Sequence, residues 1–425
     1  MSERSPGYSA PVRRGPSVLA LVIGVLAIAL LGGALALGIG AAAGWIGKST
    51  KTVVVNARTS PAQNTALPAS VTSKARPLPG NGFDPARIYA ERAAGVVTLY
   101  SFFGDPASDA TEAAQGSGFV ISSRGYILTN SHVITNAGEG NKHVKPAAHV
   151  FVEFNDGDRV PAKIVGWDVY DDIGLLRVDP SAHAVRPVPL GDSASVTVGE
   201  PVAAIGSPLG NEDSLAVGVV SAVHRAIKAL TVGLYNIVDA IQIDAPITHG
   251  NSGGPLFDAR GRVIGVNAQI RSQSGAGNDS GVGFAVPIDA AKRSIRQLVD
   301  SGRVRYAYVG ITTQDLTPAL AHVLGYSVKQ GALIEDVRSG SPAARAGLRG
   351  SSTPVNALGY RDLRTGGDVV VAIDGKPVWG ADDLVRIASF SLEPDSVAVF
   401  TIVRGGDRKT VAVKLGDRDK VSAPG

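Results

Sequence analysis

The chain contains no cysteine among its 425 residues. This absence excludes disulfide bonds, a thiol nucleophile and metal sites built on thiolates. Histidines are few, and no pair of them has the His-Glu-x-x-His spacing of the zinc proteases. The net charge of +4 is small for this length, and no stripe of arginine and aromatic residues indicates nucleic-acid binding. We therefore predict no metal, no cofactor and no nucleic-acid partner.

Charge is also absent from a long apolar run at residues 17–46. About 20 apolar residues span a bilayer, so the run predicts a transmembrane helix. Arg4, Arg13 and Arg14 precede it, which places residues 1–16 in the cytoplasm and the rest of the chain outside. We predict a single-pass protein of the cell (plasma or inner) membrane. A cleaved signal peptide is the alternative, although its apolar core would span only roughly 7–15 residues.

Two folded units follow a linker at residues 47–82, which is rich in proline, serine and alanine. Residues 83–302 hold many short β-type runs, which indicate a sandwich or a barrel, and end in a helix at "PIDAAKRSIRQLVDSG". Residues 303–418 predict a small α+β unit, and residues 419–425 form a tail. Within this second unit, "RGSSTPVNALGYRDLRTGGD" predicts an exposed loop.

The stretch "THGNSGGPLF" at residues 248–257 places Ser252 among glycines, directly before an apolar run. Glycine, asparagine, serine and proline are also the residues of an ordinary turn. A catalytic serine would need the same loose backbone, because N–H groups such as those of Gly250 and Ser252 must point at a negatively charged intermediate. The stretch alone leaves both interpretations open.

A serine nucleophile requires a base and an orienting acid. His132 is the best-placed base, because in "GYILTNSHVIT" it follows an apolar strand pattern. In "GWDVYDDIGLLRV", Asp172 directly precedes a strand pattern and can be buried against an imidazole, whereas Asp168 and Asp171 fit solvated turn positions. The order His132, Asp172, Ser252 is that of the chymotrypsin-type proteases. In this context the serine stretch is predicted to be a nucleophile loop.

The segments "GSGFVIS…GYILTNSHVI", "DDIGLLRV" and "GNSGGPLFDARGRVIGVN", together with the second unit, resemble the HtrA/Deg family of trypsin-like serine proteases with a C-terminal PDZ domain. The resemblance covers roughly residues 84–418. It implies a mainly β fold, with a chymotrypsin-like double β-barrel protease domain followed by a small α+β PDZ domain. By position it implies the general base His132, the orienting acid Asp172, the nucleophile Ser252, and the oxyanion-hole donors Gly250, Asn251 and Ser252.

Substrate preference is read from the residues around the predicted specificity pocket. The residue six positions before Ser252 is the uncharged Pro246, and Asp244 lies nearby. The strand "VIGVNAQI" is expected to form the opposite wall, with Val266 and Ala268 lining the pocket. We therefore expect cleavage after small or medium aliphatic residues, as the family resemblance also implies.

One departure from the family lies just before the serine. The family usually has an Asn-Pro pair where this chain has Thr248-His249. A proline would restrict the backbone there. We expect its loss to affect the resting conformation of the loop and not the chemistry.

PDZ modules bind a peptide C-terminus as an added strand at a sheet edge and hold its carboxylate with backbone N–H groups. The resemblance assigns this role to "YVGI", that is Tyr308, Val309, Gly310 and Ile311. The helix pattern at "DDLVRIAS" is expected to line the groove, with Leu384 and Ile387 as candidates. Without the resemblance, ordinary core positions would be the simpler interpretation.

The family commonly forms trimers through the N-terminal edge of the protease domain, so a homotrimer is implied here. Aromatic residues near that edge are compatible with such an interface or with a core position, namely Phe83, Tyr100, Phe102 and Phe103.

Together these features predict a membrane-anchored, extracytoplasmic serine endopeptidase of protein quality control and the stress response. It would degrade or process misfolded or exposed polypeptides, and its PDZ domain would bind substrate or activator C-termini. One alternative is a proteolytically silent chaperone or peptide-binding scaffold of the same fold. Another is a protease that cleaves one membrane regulator. The presence of His132, Asp172 and Ser252 together favours an enzyme over the scaffold.

Overall fold

The structure is a computed structural model that describes residues 82–107, 112–139, 144–206, 214–228, 236–247, 250–268 and 281–420. All of them belong to the compact unit Arg76–Gly425. The predicted membrane helix at residues 17–46, the N-terminal tail and nearly all of the predicted linker lie outside the described residues. Within the described ranges, no helix combines the length and the apolar character that crossing a bilayer requires.

The first β-barrel is closed by strands in the order β1-β2-β3-β6-β5-β4. Its strands are β1 (Val96–Phe102), β2 (Ala113–Val120), β3 (Tyr126–Thr129), β4 (His149–Glu153), β5 (Arg159–Asp168) and β6 (Ile173–Arg177). Helix α1 (Pro85–Arg92) precedes it and begins at Asp84, whose carboxylate accepts the N–H of Arg87. A short helix, α2 (Ser131–Ile134), follows β3. Since β3 and β6 are antiparallel hydrogen-bonded neighbours, the last residues of β3 lie beside the first residues of β6.

The second β-barrel is closed in the order β10-β11-β12-β9-β8-β7. Its strands are β7 (Pro201–Gly206), β8 (Ser214–Lys228), β9 (Asn236–Ile243), β10 (Pro255–Phe257), β11 (Val263–Ala268) and β12 (Gly283–Pro287). The predicted helix after it is confirmed as α3 (Ile288–Ser301), which ends at Gly302 in a left-handed conformation. The predicted double β-barrel is therefore confirmed.

The C-terminal unit is built on a sheet with strands in the order β14-β15-β18-β20-β21 and with β19 paired to β18. Its strands are β13 (Ala307–Tyr308), β14 (Ile311–Leu316), β15 (Gly331–Val337), β16 (Thr353–Ala357), β17 (Tyr360–Thr365), β18 (Val369–Ile373), β19 (Lys376–Pro377), β20 (Val397–Arg404), β21 (Asp407–Lys414) and β22 (Gly416–Asp417). Its helices are α4 (Pro318–Leu324), α5 (Pro342–Arg345) and α6 (Ala381–Ser391). Short 3₁₀ turns elsewhere are Ala93–Gly95, Asn136–Glu139, Ser193–Ser195 and Arg418–Lys420.

The prediction of an exposed loop within this unit is wrong for the central part of that stretch. Strands β16 and β17 pair with each other there as a hairpin. At its tip, Leu358 and Gly359 both have positive φ, of 51° and 80°. Two successive positive φ values match the turns whose twist suits a two-residue hairpin. The hairpin is closed by this turn geometry, which the length of the stretch did not reveal.

The largest hydrophobic core joins both barrels. It includes Phe119 and Leu128 from the first barrel and Phe257 and Val286 from the second, all of them buried. Tyr306, in the connection to the C-terminal unit, belongs to the same core. Because this core fixes the barrels against each other, it also fixes the distance between residues that the two barrels contribute to a shared site.

Candidate active site

His132 and Asp172 lie together at the adjacent ends of β3 and β6. His132 is in α2, directly after β3, and Asp172 directly precedes β6. The His132 Nδ1 atom is 2.8 Å from Asp172 Oδ2, and the side chains are 13% and 1% exposed. A carboxylate can only accept, so Nδ1 holds the proton and Nε2 is left to accept one.

Further bonds hold the Asp172 carboxylate in this position. Its Oδ1 atom accepts the backbone N–H of His132 at 3.1 Å and the hydroxyl of Ser131 at 2.9 Å. The amide of Asn130 donates to the Asp172 carbonyl at 2.9 Å. Asp172 itself has a φ of 52°, a left-handed conformation that is uncommon outside glycine. The neighbouring bonds are therefore needed to keep the carboxylate aimed at the imidazole.

The Ser252 loop is tied to both barrels through its backbone. The Ser252 carbonyl accepts the N–H of Ser117 in β2 at 2.8 Å, and the Ser117 hydroxyl donates to the Gly250 carbonyl. On the other side, the Gly253 N–H donates to the carbonyl of Asn267 in β11 at 2.9 Å. The loop is thus placed where the barrels meet.

Gly253 shows why this loop needs glycine. Its φ is 85°, and a Cβ atom added there would lie 2.2 Å from the Ser117 carbonyl oxygen and 2.3 Å from Thr129 Oγ1. Both distances are far below a van der Waals contact. The chain after Ser252 therefore presses directly on the end of β3, two residues before the helix that holds His132.

The Ser252 side chain is buried in the structure. Ser252 is 4% exposed, and its hydroxyl has no hydrogen-bond partner among the described residues. Asn251, the other predicted oxyanion-hole residue with a side chain, is 5% exposed and its amide donates to the Pro246 carbonyl at 3.4 Å. Thr248 and His249, where the chain departs from the family, lie outside the described residues.

The residues predicted for the substrate pocket lie in the core. Val266 and Ala268 are 0% and 2% exposed and pack in the core between the barrels. The carboxylate of Asp244 accepts the N–H of Val219 at 2.6 Å. Its partner is therefore the backbone of β8 and not a charged group of a substrate. The assignment of Val266 and Ala268 to a pocket stays a prediction.

Several residues that position the site were not anticipated. Ser117, Thr129, Asn130, Ser131 and Asn267 are buried polar residues within or beside strands. For all but Asn267, the signal in the sequence was the small polar residues in "GSGF" and "LTNSH", next to otherwise apolar runs. Buried polar groups are normally hydrogen-bonded, and here they bond to one another or to the segments that carry the predicted triad residues.

The prediction that Asp168 and Asp171 are solvated is wrong. Their exposed fractions are 2% and 3%, because α3 and Tyr306 cover the turn that contains them. Burial raises the pKa of the Asp171 carboxyl to about 6, and the neighbouring Asp168 adds to the rise. Arg293, whose Nη2 atom is 3.6 Å from Asp171 Oδ2, opposes it.

The four residues predicted for peptide binding line one groove of the C-terminal unit. Tyr308, Val309, Gly310 and Ile311 border a space of about 330 Å³ together with Leu384, Val385 and Ala388 of α6. Strand β14 is the last strand of its sheet, so this edge has no strand partner within the described residues. Gly310 has a φ of 83°, and an added Cβ there would lie 2.3 Å from the Cβ of Ser341. Ile387 lies in the core of the unit.

Comparisons with known proteins agree with this two-part arrangement. A family model described as "Trypsin-like peptidase domain" matches residues 116–266, and one described as "PDZ domain" matches residues 307–415. A "Probable periplasmic serine endoprotease DegP-like" of Halomonas elongata is 38% identical over 302 residues, which are 71% of this chain and 56% of that protein. Its namesake from Hahella chejuensis is 37% identical over 318 residues, 74% of this chain and 60% of that protein. The chain thus spans little more than half the length of the curated relatives it matches.

The similarity to solved structures extends over most of the described fold. "HtrA-type protease AlgW with tripeptide" is 30% identical, with a TM-score of 0.63, and the match covers 79% of this chain and 97% of that one. "HtrA-type protease AlgW with decapeptide" is 28% identical, with a TM-score of 0.59, and 79% and 99% are covered. The chain has the double barrel and the PDZ unit, and it matches nearly the whole length of these similar structures. The chain belongs to the HtrA family of trypsin-like serine proteases with a C-terminal PDZ domain.

Proposed function

We propose that this chain is a serine endopeptidase that cleaves through an acyl-enzyme formed on Ser252. The observation that supports this most is the buried His132–Asp172 hydrogen bond, since it leaves Nε2 of His132 as a proton acceptor. Ser252 is on the segment that packs against the end of β3, close to the start of α2. The proposal assigns the protease domain to residues 83–302 and the PDZ domain to residues 303–418.

In the first step, Nε2 of His132 takes the proton of the Ser252 hydroxyl as Oγ attacks the carbonyl carbon of the substrate. Asp172 keeps the imidazole in the required tautomer and stabilises its charged form. His132 then gives the proton to the leaving nitrogen, and the peptide bond breaks. A water molecule, deprotonated by His132, attacks the acyl carbon; the bond from that carbon to Ser252 Oγ then breaks, and His132 returns the proton to Oγ. No metal or cofactor takes part in this sequence.

The negative charge on the substrate oxygen needs N–H donors, which we assign to the backbone of Gly250, Asn251 and Ser252. Strands β2 and β11 hold this loop from two sides. Within the described residues the Ser252 hydroxyl has no hydrogen-bond partner, so the proposed mechanism requires the serine and His132 to come into contact before the attack. The pocket beside it would accept small or medium aliphatic residues. Val266 and Ala268 are buried in the core, so they would support its wall from behind and not through an exposed surface.

We further propose that the groove between β14 and α6 binds the C-terminus of a substrate or activator. The open edge of β14 can pair with an extended peptide, and the loop of Tyr308, Val309, Gly310 and Ile311 can hold its carboxylate. Two of the similar solved structures are of the AlgW protease with a tripeptide and with a decapeptide.

The location proposed for the catalytic domain is the extracytoplasmic side of the cell membrane. The apolar run at residues 17–46 would anchor it, and the curated relatives are described as periplasmic.

The proposal also includes assembly as a homotrimer and a role in the removal of misfolded proteins under stress. Near the suggested trimer edge, Phe102 packs edge-on against Phe151, and Arg159 lies over the ring of Tyr100.

The test is labelling by a fluorophosphonate, a reagent that reacts with activated serines. The full-length chain, purified in detergent micelles, is compared with its Ser252→Ala variant. We expect the parent alone to be labelled and to degrade an unfolded protein substrate. Each sample is also assayed with added C-terminal peptides, which bind the proposed groove.

The outcomes separate the candidate functions. Labelling that requires added peptide indicates a protease whose serine loop is adjusted by ligand binding. A parent that stays unlabelled and inactive under every condition contradicts the enzyme and leaves the peptide-binding scaffold. Labelling of the Ser252→Ala variant to the same extent would assign the reactive group to another residue.

A further inference from the structure

The turn that holds the catalytic acid is closed from inside by a second carboxylate, that of Asp168. This residue ends β5, four positions before Asp172. Its Oδ1 atom accepts the backbone N–H groups of Tyr170 at 3.0 Å and Asp171 at 3.3 Å. Asp172 has a positive φ, which a residue with a side chain adopts at a cost unless its surroundings impose it. Asp168 supplies part of that constraint.

The other oxygen of Asp168 joins the turn to two further elements. Oδ2 accepts the hydroxyl of Ser294 in α3 at 2.7 Å and the hydroxyl of Tyr306 at 2.6 Å. Tyr306 lies between α3 and β13, in the connection to the C-terminal unit. Asp168 and Tyr306 are each 2% exposed. A buried carboxylate is stable only when such donors satisfy it, so these four bonds belong to one structural unit.

Tyr306 is itself held on several sides. The guanidinium of Arg293 lies 4.2 Å from the centre of its ring and also donates to the Ser389 carbonyl at the end of α6. The ring of Tyr170, within the turn, meets Tyr306 edge-on at 5.1 Å. The position of the Tyr306 hydroxyl is therefore set by both domains and not by the turn alone.

We propose that Asp168 is a positioning residue for the catalytic acid, and that the Tyr306 hydroxyl completes its function from the interdomain connection. Asp168 touches no substrate. It fixes the backbone of the turn, and the turn fixes where the Asp172 carboxylate meets His132. The inference rests on the proposed function, because it assumes that His132, Asp172 and Ser252 form the catalytic triad.

Three variants of the full-length chain in detergent micelles test this. Asp168→Ala removes every acceptor, Asp168→Asn keeps an oxygen for the two N–H groups, and Tyr306→Phe removes one hydroxyl while it keeps the ring. Tyr326→Phe is the matched control, since its hydroxyl contacts the Gly367 carbonyl inside the C-terminal unit and not the turn. Rates are expressed per active site, counted by fluorophosphonate labelling to completion.

Small misplacements of catalytic groups lower rates on the order of tenfold to hundredfold. We expect Asp168→Ala to lower kcat by about hundredfold, Asp168→Asn to recover part of that loss, and Tyr306→Phe to lower kcat several-fold. KM should change little in all three, and the rate of fluorophosphonate labelling should fall in parallel with kcat. Tyr326→Phe should match the parent.

The results distinguish the inference from the proposal beneath it. An active parent whose Asp168 and Tyr306 variants keep kcat per site, with only a lower melting temperature, would reduce Asp168 to a structural residue and overturn the inference. A raised KM with unchanged kcat would overturn it as well. A parent that is never labelled would overturn the proposed function, and the inference with it.

Discussion

The two halves of the proposed catalytic site are held in different ways. In the first barrel, His132 and Asp172 are joined through side chains, Ser131 donates to the Asp172 carboxylate and Asn130 donates to the Asp172 backbone carbonyl. In the second barrel, the Ser252 loop is held through its backbone, and the serine hydroxyl has no partner among the described residues. Substitutions in the first half should therefore impair the chemistry, whereas those in the loop should also impair its fold.

The largest expected effect comes from removing the key side chain of either half. His132→Ala and Ser252→Ala should each lower kcat by roughly 10⁴- to 10⁶-fold, and the double variant should be no slower than either. Hydrolysis of an unfolded protein substrate measures all three. The control is His183→Ala, because His183 also pairs with an aspartate, Asp156, outside the site. Additive losses in the double variant would show that the halves act separately.

A smaller loss is expected when only the first half is altered. In Asp172→Asn, an amide that donates to Nδ1 would move the imidazole proton to Nε2, where it blocks acceptance from the serine. By analogy with other serine proteases, kcat should fall by about 10⁴-fold while the melting temperature changes little. Unfolding at ordinary temperature would instead mean that the buried pair is needed for stability. Steady-state kinetics and thermal unfolding distinguish the two.

The loop half is tested by Gly253→Ala, with Gly199→Ala as its matched control. Both glycines have a positive φ, of 85° and 89°, but an added Cβ meets nothing within 4 Å at Gly199. Backbone strain alone should lower the free energy of unfolding by about 1–2 kcal/mol at Gly199. At Gly253 the clash with Ser117 and Thr129 adds to it, for a total of about 3 kcal/mol or more.

Urea unfolding followed by circular dichroism provides the measurement. Equal losses at the two positions would mean that the backbone after Ser252 does not press on β3. A Gly253→Ala variant that is as stable as Gly199→Ala but inactive would shift the role of this glycine from packing to the aim of the N–H groups.

The smallest expected effect concerns Asp171, next to the proposed catalytic acid Asp172. Burial raises its folded-state pKa to about 6 from an ordinary value of 3.8, so the folded protein binds this proton more tightly than the unfolded chain. The carboxyl therefore destabilises the fold increasingly as pH rises from about 4 to about 6, and asparagine avoids this change. Relative to the parent, Asp171→Asn should gain about 2–3 kcal/mol in free energy of unfolding between pH 4 and pH 7.

Asp179→Asn is the control for that pH dependence. Hydrogen bonds from Ser181 lower the pKa of the exposed Asp179 carboxyl from 3.8, so its stabilising contribution is lost as pH falls below about 4. Its replacement should therefore change relative stability in the opposite direction, and at lower pH than the Asp171 replacement. Urea unfolding at a series of pH values measures both variants. A flat difference between Asp171→Asn and the parent would contradict a raised pKa at this site.

Much of the fold and the site could be predicted because the signals were local. The β-type runs of the barrels, the helix that ends at Gly302 and helix α6 of the C-terminal unit were all visible as periodic patterns and turn residues. His132 and Asp172 were selected by their positions at strand ends, and the structure places them 2.8 Å apart. Their catalytic roles, and that of Ser252, stay predictions.

By itself, the sequence determined the two-unit organisation, the absence of cysteine chemistry and the candidate residues of the site. Only the tertiary structure decided which polar residues are buried. Asp168 looks like a turn residue until Ser294 and Tyr306, more than 120 positions further along the chain, cover it. The physical reason is that hydrophobic periodicity is a local property of one helix or strand. The burial and hydrogen bonding of a carboxylate depend instead on every element that packs against it.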